Sequence, residues 1–193
     1  MLADPILDSM RYAMAVAAKL NSTLRAFIEA QPMFFVATAA PDGRVNVSPK
    51  GLDSLRIVDD AKIVWINLSG SGNETAAHLM QANRITLMFC AFTGDALILR
   101  AYGQAMTFHP RDAGWQVRAE MFPQMAGARQ IFEMTIDLVQ TSCGTGVPLM
   151  DFRGERGVKE LLPFYAEMGE AGVEAYWRRK NLLSIDGRPT GIA

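Results

Sequence analysis

The chain has 193 residues, of which 50% are hydrophobic and 20% are charged, and its formal net charge is −1. This length and composition predict one globular domain that buries its own core, and they exclude an intrinsically disordered chain. Because 19 basic residues are balanced by 20 acidic ones, the composition also argues against a general nucleic-acid-binding surface.

The cysteines and the N-terminus indicate the compartment. Cys90 and Cys143 lie far apart in sequence and form neither a disulfide framework nor a Cys/His metal-binding spacing. The N-terminus lacks the basic and apolar regions of a signal peptide, and no apolar run approaches the length of a membrane span. We therefore predict a cytoplasmic protein with no metal site, no membrane segment and no nucleic-acid partner.

The first 30 residues have a helical pattern. Tyr12, Val16 and Leu20 keep helical spacing in a stretch rich in alanine and methionine. The dipeptide Asn21-Ser22 then indicates a break and an N-cap, after which a short second helix runs as far as Pro32. We predict N-terminal helices over about residues 1–30.

A β-hairpin pattern follows. Residues 34–38 and 45–51 predict two strands on either side of the turn Pro41-Asp42-Gly43, in which Pro presets φ and Gly accepts a positive φ. In the second strand two valines alternate with the polar side chains of Asn46, Ser48 and Lys50. Pro49 cannot donate a backbone hydrogen bond, which predicts an edge position or a strand end.

The rest of the chain predicts five more strands and three helical regions. The strands are expected at residues 55–58, 63–68, 84–92, 96–107 and 131–139, and the helices at 74–83, at 109–122 and in a tail over about 154–193. Seven strands joined mostly by tight turns predict an antiparallel sheet, which often closes into a barrel to remove its edges. Neither a Rossmann nor a P-loop architecture is favoured, because both diagnostic glycine motifs and the alternation of strands with long helices are missing.

A glycine-rich loop at residues 69–73 leads directly into a predicted helix. The N-terminus of a helix offers unpaired N–H groups and the positive end of the helix dipole, which together bind phosphate. The alternative is that Asn73 simply caps the helix. Glu74 would repel a phosphate unless its side chain points away, so a cation is needed nearby.

Three cations on predicted strands are candidates for that role, namely Lys50, Arg84 and Arg100. Arg100 shares a face with Ile98 and Tyr102 in a long apolar strand, where it is either an exposed or ion-paired arginine or an anion ligand. His78 and His109 have no partners at metal-ligand spacing, and no nucleophile elbow precedes a helix. The pattern identifies no catalytic residue.

Several runs resemble the pyridoxamine 5′-phosphate oxidase-like, FMN-binding split-barrel family in their order and spacing. They include Asn46-Val47-Ser48-Pro49-Lys50-Gly51 and Gly70-Ser71-Gly72-Asn73-Glu74-Thr75, and they lie within residues 30–107. The tail, 176–187, is similar to an uncharacterised branch of that family. The resemblance implies a mainly β fold with flanking helices, a six-stranded antiparallel split β-barrel as a single domain over 1–193. It also implies a homodimer with FMN in each of two clefts between the subunits.

The same resemblance implies cofactor-binding residues by position. These are Asn46, Ser48 and Lys50 along the flavin or its phosphate, Trp65, Ile66 and Asn67 beside the ring, Ser71, Gly72, Asn73, Glu74 and Thr75 at the phosphate, and Arg100 facing the same cleft. Candidates for substrate contact are Tyr102, Trp177, Asn181 and Ser184.

The family's substrate is not expected here. The loop lacks the basic residues of true pyridoxamine phosphate oxidases, and their basic C-terminal motif is replaced by Gly187-Arg188-Pro189-Thr190. We therefore predict an FMN-dependent oxidoreductase that acts on an unidentified small molecule with an unidentified reductant. A non-catalytic flavin- or haem-binding module and a deazaflavin-dependent reductase are the alternatives.

Overall fold

An eight-stranded antiparallel sheet dominates the computed structural model, which describes residues 15–193. The predictions for residues 1–14 lie outside this range. The strands are β1 (Ala15–Ala17), β2 (Phe34–Thr38), β3 (Asn46–Lys50), β4 (Leu55–Asp59), β5 (Lys62–Leu68), β6 (Ile85–Cys90), β7 (Leu97–Phe108) and β8 (Ala128–Cys143). The helices are α1 (Ser22–Glu29), α2 (Glu74–Gln81), α3 (Trp115–Ala119), α4 (Arg156–Lys159) and α5 (Leu161–Lys180).

The strand order is β3-β2-β6-β7-β8-β5-β4, and β1 also pairs with β8. β3 lies at one end of this order, which confirms the edge position predicted from Pro49. Within residues 15–193 the two end strands do not pair with each other, so the barrel is split. A side-chain hydrogen bond spans the opening between β3 and β5, where Lys50 Nζ donates to Asn67 Oδ1 at 2.8 Å.

The main core lies inside the curved sheet. Its largest members include Trp65 and Phe132, whose rings stack with centroids 4.9 Å apart, and Phe89, all of them essentially inaccessible to solvent. Ile28 of α1 and Leu79 of α2 cover the openings of this core. The other face of β5 packs in a second, smaller cluster with the segment around α3. Burial on both faces makes β5 the central support of the candidate site.

Two helical predictions were wrong at the start of the chain and before β8. Residues 15–17 form β1, because pairing with residues 139–141 of β8 overrides the helical spacing of Val16 and Leu20. The helix predicted over 109–122 is reduced to α3. The Asp112 carboxylate accepts from the backbone N–H of His109 at 2.8 Å and so stabilises a turn in place of the first helical residues.

The predicted helical tail divides into three parts. α4 and α5 confirm the helical region from about residue 154, and α5 is kinked at Gly169, whose φ is +65°. Residues 181–193 are not helical, contrary to the prediction. They contain a small hairpin in which Leu183 bridges Pro189 and Gly187 adopts a φ of +74°. This hairpin returns to the loop that precedes α2.

Candidate functional site

Asn73 occupies the N-cap position of α2 but does not cap the helix. Its side chain makes no capping hydrogen bond, it is only 2% exposed, and neither Nδ2 nor Oδ1 has a partner. Buried amide groups are almost always hydrogen-bonded, so two unpaired atoms on one side chain require an explanation. The capping alternative is therefore wrong, and the helix N-terminus retains a polar group with free capacity to bind.

The Glu74 carboxylate lies between loop 69–73 and the C-terminal hairpin, and a Cβ on Gly72 would be 3.4 Å from its Oε1. Both of its oxygens accept from the backbone N–H of Ile185, at 3.1 and 3.2 Å, so the side chain lies against the C-terminal hairpin. The carboxylate therefore still opposes an anion at the N-terminus of α2, and nearby cations must offset its charge.

Two cations lie beside this loop. Lys50 hydrogen-bonds Asn67, as described above, while Arg129 donates from Nη1 to the carbonyl of Gly72 at 3.0 Å and is only 3% exposed. Arg129 Nε has no partner. Within residues 15–193 neither cation forms an ion pair with a carboxylate. Two poorly solvated positive charges without counterions form the basic centre of the site.

The pKa values of both cations reflect this environment. Burial, with a smaller contribution from the charge of Arg129, lowers the pKa of Lys50 to about 8. Burial lowers the pKa of Arg129 to about 10. Each group would be stabilised in its charged form by an anion, because a counterion offsets the loss of hydration.

The polar residues of β3 face the same region. Asn46 Nδ2 donates to Thr38 Oγ1 at 3.2 Å and to Thr75 Oγ1 at 3.3 Å. Ser48 Oγ donates to Asn46 Oδ1 at 2.8 Å. The structure thus brings the predicted residues of β3 together with the start of α2. Ser71 and Gly72 lie exposed in loop 69–73, which connects β5 to α2.

Arg100 lies on the opposite face of the sheet from Lys50. It pairs with Met88, Met88 pairs with Phe35, and Phe35 pairs with Pro49, so Arg100 shares the face of Pro49. Its guanidinium donates to Ser142 Oγ at 3.1 Å. The prediction that Arg100 faces the same cleft as the loop is wrong within one subunit. Alternation showed which residues share a face, but only the register shows which face points to α2.

Tyr102 lies on the same face as Arg100, which is the outer face of the sheet, turned away from the main core. Its hydroxyl donates to Gln140 Oε1 at 2.9 Å. It is therefore separated from the loop by the thickness of the sheet.

Trp65 and Ile66 belong to the core. The indole of Trp65 has 0% exposure within the main core, and Ile66 is 4% exposed within the second cluster. Their side chains consequently do not border an open cleft, which differs from the predicted position beside a ring. Asn67, the third member of that run, is also buried, but it contacts Lys50 and so belongs to the site.

The C-terminal candidates hold the tail against loop 69–73. Trp177 Nε1 donates to Ser69 Oγ at 2.6 Å, and Asn181 Nδ2 donates to the carbonyl of Gly70 at 2.9 Å. Ser184 Oγ accepts from the backbone N–H of Arg188 within the hairpin. All three side chains make contacts within the chain, and their contact with a substrate stays a prediction.

Sequence reasoning missed Arg129 and Gln130. Both lie at the start of β8, before the apolar alternation that predicted a strand only from Ile131. Gln130 has 0% exposure and bridges Asn67 and His109. The sequence did carry one signal, the dipeptide Arg129-Gln130 directly before an apolar strand. A charged residue that is buried at the start of a strand needs a partner, which indicates a binding role.

The described residues also bear on metal and membrane binding. In residues 15–193 no three His, Cys, Asp or Glu side chains come together as a metal-binding group. None of the helices in this part of the chain is long and apolar enough to cross a membrane.

Comparisons with known proteins connect this architecture to a family. Residues 20–143 match the family model described as pyridoxamine 5′-phosphate oxidase. The pyridoxamine 5′-phosphate oxidase family protein ustO of Aspergillus flavus is 35% identical over 187 residues, which cover 88% of this chain and 75% of ustO.

Two crystal structures resemble the fold. HupZ of group A Streptococcus has a TM-score of 0.50 at 19% identity, and the match covers 62% of this chain and 91% of HupZ. A Lactobacillus delbrueckii protein provisionally named a pyridoxamine 5′-phosphate oxidase has a TM-score of 0.50 at 18% identity. The match covers 64% of this chain and 94% of the Lactobacillus protein. The mainly β split-barrel fold is therefore confirmed, with eight strands here where six were predicted. The chain belongs to the pyridoxamine 5′-phosphate oxidase family.

Proposed function

We propose that this protein binds FMN, with the phosphate at the N-terminus of α2 between Lys50 and Arg129. The observation that carries this proposal is that two poorly solvated cations, Lys50 and Arg129, lack a carboxylate counterion within residues 15–193 and lie beside the side-chain amide of Asn73, which has no hydrogen-bond partner there either. A phosphate would supply counter-charge to both cations and acceptors to Asn73 Nδ2 and to the free N–H groups of the helix.

The basic centre compensates for the unusual loop sequence. The loop carries Asn73-Glu74-Thr75 without a cation, but β3 and β8 supply Lys50 and Arg129 from outside it. Membership of the family supports a flavin phosphate as the anion. Bound flavin supplies electron and hydride transfer, while the chain binds the phosphate, holds Lys50 against Asn67 and excludes water around Arg129. We propose that the protein is an oxidoreductase acting on a small molecule.

A histidine-ligated haem is not favoured by the structure. His78 is 1% exposed and its Nδ1 lies 3.1 Å from Thr38 Oγ1, while His109 is 8% exposed and contacts Gln130. These are the two histidines of the chain, and neither presents a free ring nitrogen at the surface.

The absorbance spectrum of the purified protein tests flavin binding directly. We expect flavin bands, release of FMN on denaturation, and tighter binding of FMN than of riboflavin when the apoprotein is titrated. Steady-state oxidation of a nicotinamide dinucleotide would support the oxidoreductase, whereas stoichiometric flavin without turnover on any donor would favour a binding module. A colourless protein that leaves the fluorescence of added FMN unchanged would refute the proposal.

The affinity for FMN should fall as the pH rises above about 8, the pKa of Lys50. Phosphate favours the ammonium form, so binding above this pH must first protonate Lys50. Affinity is then fully present below pH 8 and falls by up to about tenfold for each pH unit above it. Fluorescence titrations between pH 7 and pH 10 measure this slope. In Lys50→Met the slope between pH 8 and pH 9 should disappear, whereas a slope near pH 10 is expected to remain because the pKa of Arg129 is about 10. A persistent slope between pH 8 and pH 9 would assign the titration to another group.

We also propose that the outer face of the sheet forms a homodimer interface. The register places Val47, Ala37, Thr86, Tyr102 and Leu138 in one row across the five strands β3, β2, β6, β7 and β8. Val47 is 60% exposed and Leu138 is 38% exposed. Contiguous exposed apolar faces of this kind are uncommon on monomers and are typical of association surfaces.

Substitution of Val47 by lysine should convert the dimer to a monomer. The new charge would be buried against the partner without a counterion, which is strongly unfavourable. Analytical ultracentrifugation measures the change. Val117→Lys on α3 is the control, because Val117 is similarly exposed, at 59%, but lies outside the row that contains Val47. A dimeric Val47→Lys variant would exclude this face as the interface.

A further inference from the structure

A continuous series of buried hydrogen bonds leads from Lys50 into the protein. Lys50 Nζ contacts Asn67 Oδ1 at 2.8 Å, Asn67 Nδ2 contacts Gln130 Oε1 at 3.4 Å, and Gln130 Nε2 contacts His109 Nε2 at 3.2 Å. His109 Nδ1 lies 3.5 Å from a carboxylate oxygen of Asp112. Asn67, Gln130 and His109 are all less than 10% exposed. We call Asn67, Gln130 and His109 the relay.

The donors and acceptors of the relay can be assigned in one consistent direction. An ammonium group only donates, so the carbonyl end of the Asn67 amide must face Lys50. The amino end of Asn67 then faces Gln130 and requires its carbonyl oxygen. The amino end of Gln130 consequently faces His109, whose Nε2 must accept the hydrogen bond.

The tautomer of His109 follows from this direction. Its proton is on Nδ1, on the side of Asp112, and Nε2 is free to accept. Burial lowers the pKa of His109, further lowered by the charges of Arg111 and Arg129 and opposed by Asp112, which favours the neutral ring that the relay needs. The Asp112 carboxylate, which only accepts, also places the proton on Nδ1 without reference to Lys50. Each amide therefore has one favourable orientation, and the His109 end requires the same orientation as the Lys50 end.

We propose that Gln130 and His109 are positioning residues that orient the Asn67 amide and thereby hold the Lys50 ammonium in the proposed phosphate site. This inference rests on the proposed function for its ligand. It assigns a role to Gln130, which lies behind Asn67 and acts on Lys50 only through it. Asn67 and Gln130 are direct cross-strand partners on β5 and β8, so the sheet register builds the relay.

Gln130→Met tests the proposal, because methionine fills a similar volume without an amide. Asn67 could then rotate and present its amino end to Lys50. We expect the affinity for FMN to fall by about tenfold, with less than about a twofold change for riboflavin, which has no phosphate. Gln31→Met is the matched control, since Gln31 also donates a side-chain hydrogen bond, to the carbonyl of Phe27, but is not part of the relay. Equal losses for both flavins would indicate a merely structural role and overturn the proposal.

A second measurement needs no ligand. The pKa of Lys50 can be followed by NMR of its labelled ε-carbon, and in Gln130→Met it should fall below its value of about 8 in the parent protein, because the ammonium loses an oriented acceptor. Asn67→Leu, which removes the acceptor itself, should shift it in the same direction. A shift in Asn67→Leu without one in Gln130→Met would overturn the positioning role. This measurement stands even if the parent protein binds no FMN, so the two proposals fail separately.

Discussion

Replacing Arg129 by methionine should lower the affinity for FMN by about 10- to 100-fold, since a charge-assisted hydrogen bond contributes roughly 1.5–3 kcal/mol. Arg129 is 3% exposed, and its Nε has no partner within residues 15–193. A phosphate bound beside Gly72 would pair with this charge where water screens it little. Fluorescence titration of the apoprotein with FMN and with riboflavin isolates the contribution of the phosphate.

Although Arg129→Met should lower the affinity for FMN, it should not lower the stability of the apoprotein. A buried cation without a counterion is itself unfavourable, so its removal should leave the free energy of unfolding unchanged or higher in denaturant titrations. Arg25→Met serves as the control, because Arg25 forms a peripheral ion pair with Asp60 and should leave FMN affinity unchanged. If a folded Arg129→Met protein bound FMN with unchanged affinity, Arg129 would not be a ligand of the phosphate.

Replacing Trp65 by alanine should lower the free energy of unfolding by about 3–5 kcal/mol, the usual range for loss of a buried aromatic side chain. Trp65 has no solvent exposure, and its ring stacks on Phe132. The paired strands β4 and β8 hold both edges of β5 at this position, which limits collapse of the resulting cavity. Urea unfolding followed by circular dichroism measures the loss. Trp115→Ala is the control and should cost less, because Trp115 is only partly buried.

Trp65→Phe separates the core position of this residue from the predicted contact with a flavin ring. Phenylalanine retains most of the packing, and the indole Nε1 that it lacks has no hydrogen-bond partner in the parent protein. We therefore expect a folded variant with unchanged affinity for FMN. Loss of FMN binding with stability retained would restore the ring contact that the sequence predicted.

Local chemistry explains the elements that the sequence predicted correctly. The turn Pro41-Asp42-Gly43, in which Gly43 has a φ of +83°, joins the two predicted strands. Pro49 marked the edge strand because it lacks an N–H group, and Asn21 caps α1 by accepting from the N–H of Leu24. In each case the evidence lies within a few residues of the chain.

The candidate site was only partly accessible to the same reasoning. Loop 69–73 and the polar face of β3 were identified from glycine content and alternation. Arg129 was missed because its role depends on β8 pairing with β5, more than 60 positions earlier in the chain. Arg100 was expected to face the same cleft, but within one subunit it lies on the opposite face of the sheet from Lys50, because alternation leaves the face undetermined until the register is known.

The sequence by itself determined a nearly neutral, β-rich chain, its hairpin, its edge strand and a polar loop at the start of a helix. The tertiary structure alone decided that Lys50 and Arg129 converge on that loop, that Glu74 contacts the C-terminal hairpin, and that the relay lies behind Lys50. The physical reason is range. Turn and capping preferences act between neighbouring residues, whereas strand register and burial of charge depend on residues that meet only when the sheet has formed.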